Sequence, residues 1–207
     1  MFITFEGIDF SGKTTQIRLL EEYLKSAGEK VHIVREPGGT AISEKIRELL
    51  LDKNYYEMCS EAEIFLFSAS RAQLVRELIK PMLNAGYFVI SDRFHDSTTA
   101  YQGYGRGVDL ETVRKINELA IGDVIPDLTF FLDLDEVEAQ KRKDLLPASK
   151  LDRIESANLE FFRKVREGYL YLSKSEKRFR LINGSLSVEE IHNEIVNEMN
   201  VLSRVKN

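Results

Sequence analysis

The stretch Gly7-Ile8-Asp9-Phe10-Ser11-Gly12-Lys13-Thr14, with Thr15 behind it, constrains this chain more than any other feature. It matches G-x-x-x-x-G-K-[ST]. It stands between a β-rich apolar run, Phe2–Glu6, and a run whose Ile17, Leu20, Leu24 and Ala27 share one helical face. A strand that turns through two glycines into a helix makes an anion cradle. Gly7 and Gly12 let the main chain double back. Successive N–H groups then point inward at the positive end of the helix. Lys13 supplies a movable cation for the β- and γ-phosphates of a nucleotide, and the Thr14 hydroxyl suits Mg²⁺. The expected nucleotide contacts of the loop are Gly7, Ile8, Asp9, Phe10, Ser11, Gly12, Lys13, Thr14 and Thr15.

The rest of the chain continues the same alternation. Strands are predicted at Val31–Arg35, Phe88–Asp92, Leu128–Asp133 and Arg178–Asn183, with helical patterns between them. Ser60 and Glu63 read as a capping box opening a helix that runs to about Met82. Phe161, Val165, Tyr169 and Leu172 mark another helix. Ser187 with Glu190 caps the last, whose inner face is Val188, Ile191, Ile195, Met199 and Leu202. Strand–helix alternation predicts an α/β fold with a mostly parallel sheet, and such folds bind ligands at the carboxyl ends of the strands. No repeat or low-complexity linker divides the 207 residues, so a single domain over 1–207 is expected.

Charge narrows the partners. The net charge is −5, whereas a nucleic-acid binder usually carries a basic surface. Phosphates must therefore be held by a few focused cations in a cleft. One cysteine, Cys59, can form neither an internal disulfide nor a thiolate metal site alone, which suits a reducing cytoplasm. The first residues lack the basic stretch of a signal peptide, and no apolar run approaches the length that spans a bilayer.

Two arginines sit at predicted strand ends beside the loop: Arg35, in Arg35-Glu36-Pro37-Gly38-Gly39-Thr40, and Arg93, in Asp92-Arg93-Phe94. A guanidinium fits a phosphate through two parallel hydrogen bonds, so a second phosphate site for the acceptor is expected there. Asp92 either organises the waters of Mg²⁺ or pairs with Arg93 or Lys13. No strong general base is needed, because a phosphate monoester has its second pKa near ~6. The histidines, His32, His95 and His192, show no ligand spacing and read as structural or surface residues. The guanine-reading N-K-x-D element of nucleotide switches is absent.

At this point the chain resembles the thymidylate kinase family. The resemblance rests on the loop at 7–14, REPGGT at 35–40, Phe67-Ser68-Ala69-Ser70-Arg71, and the run from Asp92 to Gly103 (DRFHDSTTAYQG). It extends through Lys141-Arg142, Leu151-Asp152-Arg153-Ile154-Glu155 and Ile182-Asn183-Gly184-Ser185. It implies a three-layer P-loop fold with five parallel strands in the order 2-3-1-4-5, a lid over about 141–153, and a homodimer. It also implies transfer of a phosphoryl group from MgATP to dTMP in dTTP synthesis, with no nucleic-acid or membrane partner.

Residue by residue, the resemblance places Phe67 against the thymine ring, where core packing is the other reading; for Phe65 core packing is preferred. It has Arg71 donating to a thymine carbonyl, and Thr98 and Gln102 touching the base, with Ser97 among the acceptor-binding residues. Tyr101 fills the space of a ribose 2′-hydroxyl, and Asp9 with Glu36 lies near the 3′-hydroxyl. Arg35, Arg47 and Arg93 hold the acceptor phosphate. Arg142 stacks on adenine, whose edge meets the loop Asn183, Gly184, Ser185. The catalytic set is Lys13, Arg93, Arg153 and Asp9, with Thr14 and Asp92 toward the metal.

This chain departs from the family's pattern in three places. Phe10 stands where some members carry an arginine, which shifts the transition-state charge to a basic lid (Lys141, Arg142, Lys143, Lys150, Arg153), with Arg153 the first candidate and Lys143 and Lys150 the weaker ones. Ser70 replaces an aspartate often found before Arg71. The lid segment 144–150 has its own sequence. The rival readings are a deoxynucleoside kinase, a kinase for another monophosphate, and an ATP-binding regulator.

Overall fold

In the computed structural model, residues 1–147, 149 and 151–205 are described, the last four by their backbone alone. Ala148 and the lid cation Lys150 lie outside the described residues, as does the side chain of Leu202.

Five strands, β1 (Phe2–Glu6), β2 (Val31–Arg35), β3 (Phe88–Asp92), β4 (Leu128–Asp133) and β5 (Phe179–Asn183), form one parallel sheet in the order β2-β3-β1-β4-β5. β1 lies at the centre and is buried along its whole length. Its pleat sends Ile3 and Phe5 to one face, where they pack with α1 (Lys13–Ser26) and α9 (Val188–Val205) through Ile17, Leu20, Leu24, Ile191, Ile195 and Met199. Its other face carries Phe2, Thr4 and Glu6. Phe2 joins Val34, Leu74, Val75, Ile79 and Val89 in a second apolar cluster. Thr4 hydrogen bonds to Thr129 (2.8 Å), and Glu6 accepts from Phe94 N, Ser97 Oγ and Tyr169 OH at 2.7, 2.7 and 2.8 Å. The buried polar groups of β1 are thus satisfied.

The remaining helices are α2 (Ala41–Leu51), α3 (Ser60–Leu74), α4 (Lys80–Asn84), α5 (His95–Thr98), α6 (Leu110–Ile121), α7 (Glu136–Asp144) and α8 (Leu159–Ser175). α3 continues into α4 through a π-helical stretch, Val75–Ile79, in which Lys80 N donates to the Val75 carbonyl five residues back. Pro81 has no N–H and its ring crowds the preceding turn; the wider turn accommodates it without breaking the rod.

Several local expectations are corrected. Ala27 is exposed just past the end of α1, and Val188 is 54% exposed rather than on the inner face of α9. Ser60 and Glu63 do not form a capping box: Cys59 is the N-cap without a side-chain bond, and Glu63 is drawn inward by Gln102 and Arg106. Phe65 is 62% exposed, not core. The last strand starts at Phe179, one residue later, because Arg178 turns to pair with Asp96 at 2.6 Å. The other box is present: Ser187 N donates to Glu190 Oε2, and Glu190 N to Ser187 Oγ. No helix among the described residues is long and apolar enough to cross a membrane.

At the start of α5, His95 is largely but not fully covered (14% exposed) beside the Asp96–Arg178 pair, its Nε2 3.4 Å from Arg178 Nη2 and 3.6 Å from Asp96 Oδ1. Burial pushes its imidazole down to about 4 from 6.5, against the pull of Asp96. Between those values the unfolded chain binds a proton that the native chain refuses, so stability is lost as pH falls through that window. Glu6, raised by burial to about 7, acts in the opposite sense, but its contribution is shared by a His95→Asn variant and cancels in the difference. The stability advantage of the wild type over His95→Asn, from urea titrations, is therefore expected to shrink by about 2–3 kcal/mol between pH 7 and pH 4.5. A pH-independent difference would mean that His95 titrates alike in both states.

Candidate active site

The phosphate cradle is built where β1 runs into α1. Gly7 (φ 135°) passes so close to β4 that a Cβ there would lie 2.6 Å from the Leu132 carbonyl oxygen. Gly12 (φ 96°) is the N-cap of α1 and offers no side-chain cap. The N–H groups of the first turn, Lys13 and Thr14, have no acceptor within the helix. An anion is the natural partner for such an end. Lys13 Nζ folds back over the loop and donates to the carbonyls of Gly7 (3.1 Å) and Ile8 (2.9 Å) and to Ser11 Oγ (3.4 Å). Burial, with the nearby charge of Arg93, lowers its ammonium to about 8.

The loop opens into a cleft of about 720 Å³. Arg93 lies at its base in the left-handed region, φ 70°, which a non-glycine residue adopts only under constraint. The constraint is visible. Arg93 N donates to the Phe5 carbonyl and Phe94 N to Glu6. Arg93 Nη1 donates to the Gly7 carbonyl (2.8 Å), and Nη2 to Asp9 Oδ1 (2.6 Å). Its guanidinium lies 4.9 Å from the centre of the Tyr101 ring. Tyr101 OH donates to the other oxygen of Asp9 (2.9 Å). Burial alone would raise the Asp9 carboxyl, but Arg93, Lys13 and Tyr101 together hold it below the usual range.

Opposite Arg93, Arg35 and Arg47 converge on one oxygen, the Pro37 carbonyl (3.1 and 2.8 Å). Gly38 (φ 130°) makes this approach possible, since a Cβ there would lie 2.6 Å from Arg35 Nη1. The guanidiniums of Arg35, Arg47 and Arg93 therefore border one cleft. Glu36 is buried beneath them and pairs with Arg71 (2.7 Å). Its other oxygen, Oε1, is buried and unpartnered, and burial raises its carboxyl despite Arg71. Thr14 Oγ1 donates to Asp92 Oδ2 (3.1 Å). Two hard oxygen ligands side by side at a phosphate loop fit Mg²⁺, which takes its other ligands from phosphates and water.

The cleft brings together Asp9, Phe10, Gly12, Lys13, Thr14 and Thr15 with Arg35, Glu36, Arg47, Asp92 and Arg93, and farther along with Phe67, Ser97, Thr98, Tyr101, Gln102 and Arg142. Phe67 is half-buried at its wall, so the ring is available to stack. Arg142 donates to the carbonyls of Phe10 (3.2 Å) and Gly184 (3.3 Å), tying α7 to the loop and to the turn after β5. Asn183 Oδ1 in that turn accepts from Ser185 N.

Gly7, Ile8, Ser11, Asn183, Gly184 and Ser185 do not line the cleft, and the side chains of Arg71 and Arg153 are committed elsewhere. Arg71 is fully buried; its donors go to Glu36, Thr98, Asn117 and the Phe94 carbonyl, and it is not on the cleft wall. Arg153 turns away, pairing with Glu63 (2.7 Å) and donating to the Leu50 carbonyl (2.8 Å). Lys143 donates to the Ala157 carbonyl. Conversely, Asp152, Ile154 and Glu155 face the cleft. Asp152 Oδ1 accepts from the N–H groups of Ile154 and Glu155, both at 2.8 Å. That tight turn sends 152 and 155 inward and 153 outward. The acidic positions flanking Arg153 were the available signal for these residues.

Comparisons with known proteins point to one family. A family model described as thymidylate kinase matches residues 5–195. The thymidylate kinase of Chlorobium luteolum is 50% identical over 208 residues, covering 97% of each chain. That of Kosmotoga olearia is 49% identical over 199 residues, covering 96% of this chain and 94% of the relative. The crystal structure of thymidylate kinase from Ehrlichia chaffeensis superposes with a TM-score of 0.77 at 38% identity, covering 96% of this chain and 98% of that one.

Removing the loop's cation should be felt in binding before anything else. Lys13→Ala is expected to weaken ATP binding about 10- to 100-fold by calorimetry, the worth of a hydrogen bond to a charged group, with an unchanged circular dichroism spectrum. Undiminished affinity would remove Lys13 from the phosphate site.

Proposed function

The chain belongs to the thymidylate kinase family, and we propose that its cleft seats two nucleotides phosphate to phosphate, ATP on the loop and dTMP among the guanidiniums. The enzyme phosphorylates dTMP to dTDP. The observation that carries the two-site reading is the placement of Arg93 between the loop, through Gly7 and Asp9, and the cleft bordered by Arg35 and Arg47.

In this reading the loop N–H groups and Lys13 hold the β- and γ-phosphates. Arg35, Arg47 and Arg93 hold the dTMP phosphate, whose second ionisation near ~6 leaves its oxygen ready to attack. A bond forms between that oxygen and the γ-phosphorus, the bond to the bridging oxygen breaks, and ADP leaves. No proton need be removed by a side chain, so catalysis is positioning and charge stabilisation. Bound Mg²⁺, held by Thr14 with Asp92, would neutralise charge on the transferred group. Lys13 and Arg93 are the cations placed to act as charge develops. Asp9 keeps Arg93 aimed, and the buried, unpartnered Glu36 Oε1 suits a sugar hydroxyl donor. Tyr101, pinned on Asp9, leaves no room for a 2′-hydroxyl. Phe67 stacks on the base, Gln102 and Thr98 meet its edge, and Arg142 with the turn 183–185 receives the adenine. In this reading the described part of 141–153 belongs to a lid, within a single cytoplasmic domain.

We further place a homodimer contact on the outer face of α2 and α3. Phe65, Ala69, Ala72 and Arg76 follow one helical stripe on α3 and its continuation, beside exposed Ile42 and Leu49 on α2 and Leu119 on α6. Exposed apolar side chains gathered on neighbouring helices mark interaction sites, and a self-complementary patch generates a two-fold dimer.

Two experiments test these readings. An ADP-release assay with dTMP, dUMP, dGMP and thymidine should give the highest kcat/KM with dTMP; faster turnover of thymidine would overturn the second phosphate site. Phe65→Glu should shift the mass measured by light scattering from dimer to monomer, and an unchanged dimer would move the contact elsewhere.

A further inference from the structure

Glu63 is 1% exposed on α3 and is not on the cleft wall. Its carboxylate receives four donors from two other segments. Gln102 Nε2 donates to Oε1 (2.9 Å), Arg106 Nε to Oε1 (3.1 Å), and Arg106 Nη2 to Oε2 (3.2 Å); Arg153 Nη1 completes the set on Oε2 (2.7 Å). Burial alone would raise this carboxyl, but hydrogen bonding and charge from Arg106, with Gln102 and Arg153, hold it below the usual range.

An ionised carboxylate can only accept hydrogen bonds. With two guanidiniums fixing its charge, Glu63 has no proton to give to a carbonyl. Gln102 must therefore turn its NH₂ toward Glu63 and its carbonyl oxygen the other way. The alternative flip would set two acceptors against each other inside the protein. Gln102 is on the cleft wall, and its Oε1 has no protein donor among the described residues. The oxygen is thus the acceptor left for the ligand, and it is fixed in place because one of the two amide hydrogens is committed to Glu63.

We propose that Glu63 is a positioning residue for base specificity: by locking the Gln102 amide, it makes the cleft accept a pyrimidine that carries a hydrogen on N3 and reject one that presents a lone pair there. Thymine and uracil carry that hydrogen, whereas neutral cytosine offers an acceptor to an acceptor. The inference rests on the reading that Gln102 meets the base. Rejection by an unmatched polar group is stronger than rejection by a missing methyl group, so this device separates dTMP from dCMP and leaves dTMP against dUMP to other contacts.

The test compares kcat/KM for dTMP and dCMP in the wild type, Glu63→Gln and Gln102→Leu, with melting temperatures recorded. Glu63→Gln can donate as well as accept, so Gln102 is released to flip. The dTMP:dCMP ratio is then expected to fall about tenfold or more, while Glu63→Asp keeps the wild-type preference. Gln102→Leu should raise KM for dTMP. If it does not, the base-contact reading fails by itself. If Gln102→Leu raises KM but Glu63→Gln lowers only the melting temperature and leaves the ratio intact, Glu63 is merely structural and the inference is overturned. Should Glu63→Gln not fold, the wild type decides through binding. 3-Methyl-dTMP and dCMP should each bind at least about tenfold more weakly than dTMP, and dCMP binding as tightly as dTMP would overturn the fixed orientation.

Discussion

Arg93 is the residue through which the parts of this molecule become a site. It follows β3 immediately, and β3 lies beside β1 in parallel register, with Phe5 opposite Asp92. Two adjacent parallel strands therefore end together, one in the phosphate loop and the other in a guanidinium. The side chain closes the gap by donating to Gly7 and Asp9. The cost is a left-handed backbone at a residue with a Cβ, about 1–3 kcal/mol. It is offset by Glu6, whose carboxylate takes the next N–H and two hydroxyls that also approach Arg93, Ser97 at 3.3 Å and Tyr169 at 3.2 Å. The strain is thus held by the core of the sheet rather than by the ligand, and the guanidinium is in place before any phosphate arrives.

A protein of net charge −5 that binds two polyanions has to separate its charges internally. The pairing does this. Arg71, Arg153 and Arg178, which do not border the cleft, are neutralised by buried Glu36, Glu63 and Asp96. Arg35 and Arg47 instead share a neutral carbonyl, and the carboxylate that Arg35 meets, Glu44 at 3.0 Å, is half-exposed rather than buried, so solvent screens that pair and the charge of both arginines stays available to a ligand. Buried ion pairs contribute little net stability and often cost some. Their value here is geometric: each fixes a neighbour's orientation, as Glu36 fixes Arg71 and Glu63 fixes Gln102. Fixed dipoles and charges need not reorganise during phosphoryl transfer, which is where electrostatic catalysis gains over water.

Much of this was legible in the sequence because it depends on short-range pattern. Four strands keep the bounds read from their apolar runs, and the loop lies between the strand and the helix its motif requires. The order 2-3-1-4-5 and the acceptor came from resemblance, since periodicity says nothing about which strands are neighbours. Most of the errors share one physical origin. Ser60 and Glu63 have capping-box spacing, but two arginines and a glutamine from distant segments outbid a local N–H for the carboxylate. Phe65 is the exception: it has core chemistry, yet it lies on an exposed face of α3. Arg71 and Arg153 carry charge that suits a ligand, but buried carboxylates reach them first. Local propensity gives way wherever a buried charge needs a counterion.

The same competition explains how the phosphate loop behaves before ATP binds. Lys13 Nζ rests on the carbonyls of its own loop, in surroundings that already contain Arg93. Two cations in one poorly solvated place repel each other, and the depressed lysine pKa reflects burial and that repulsion together. A polyphosphate relieves both at once: it replaces weak carbonyl acceptors with charged ones and screens Lys13 from Arg93. The loop's affinity for anions therefore includes the release of a tension stored in the free protein, and Asp9, bonded to Arg93 and close enough to act on Lys13, sets how large that tension is. A neutral residue at position 9 would leave the two cations less compensated and Arg93 without its anchor, which is why the carboxylate belongs to the phosphate site although it repels phosphate.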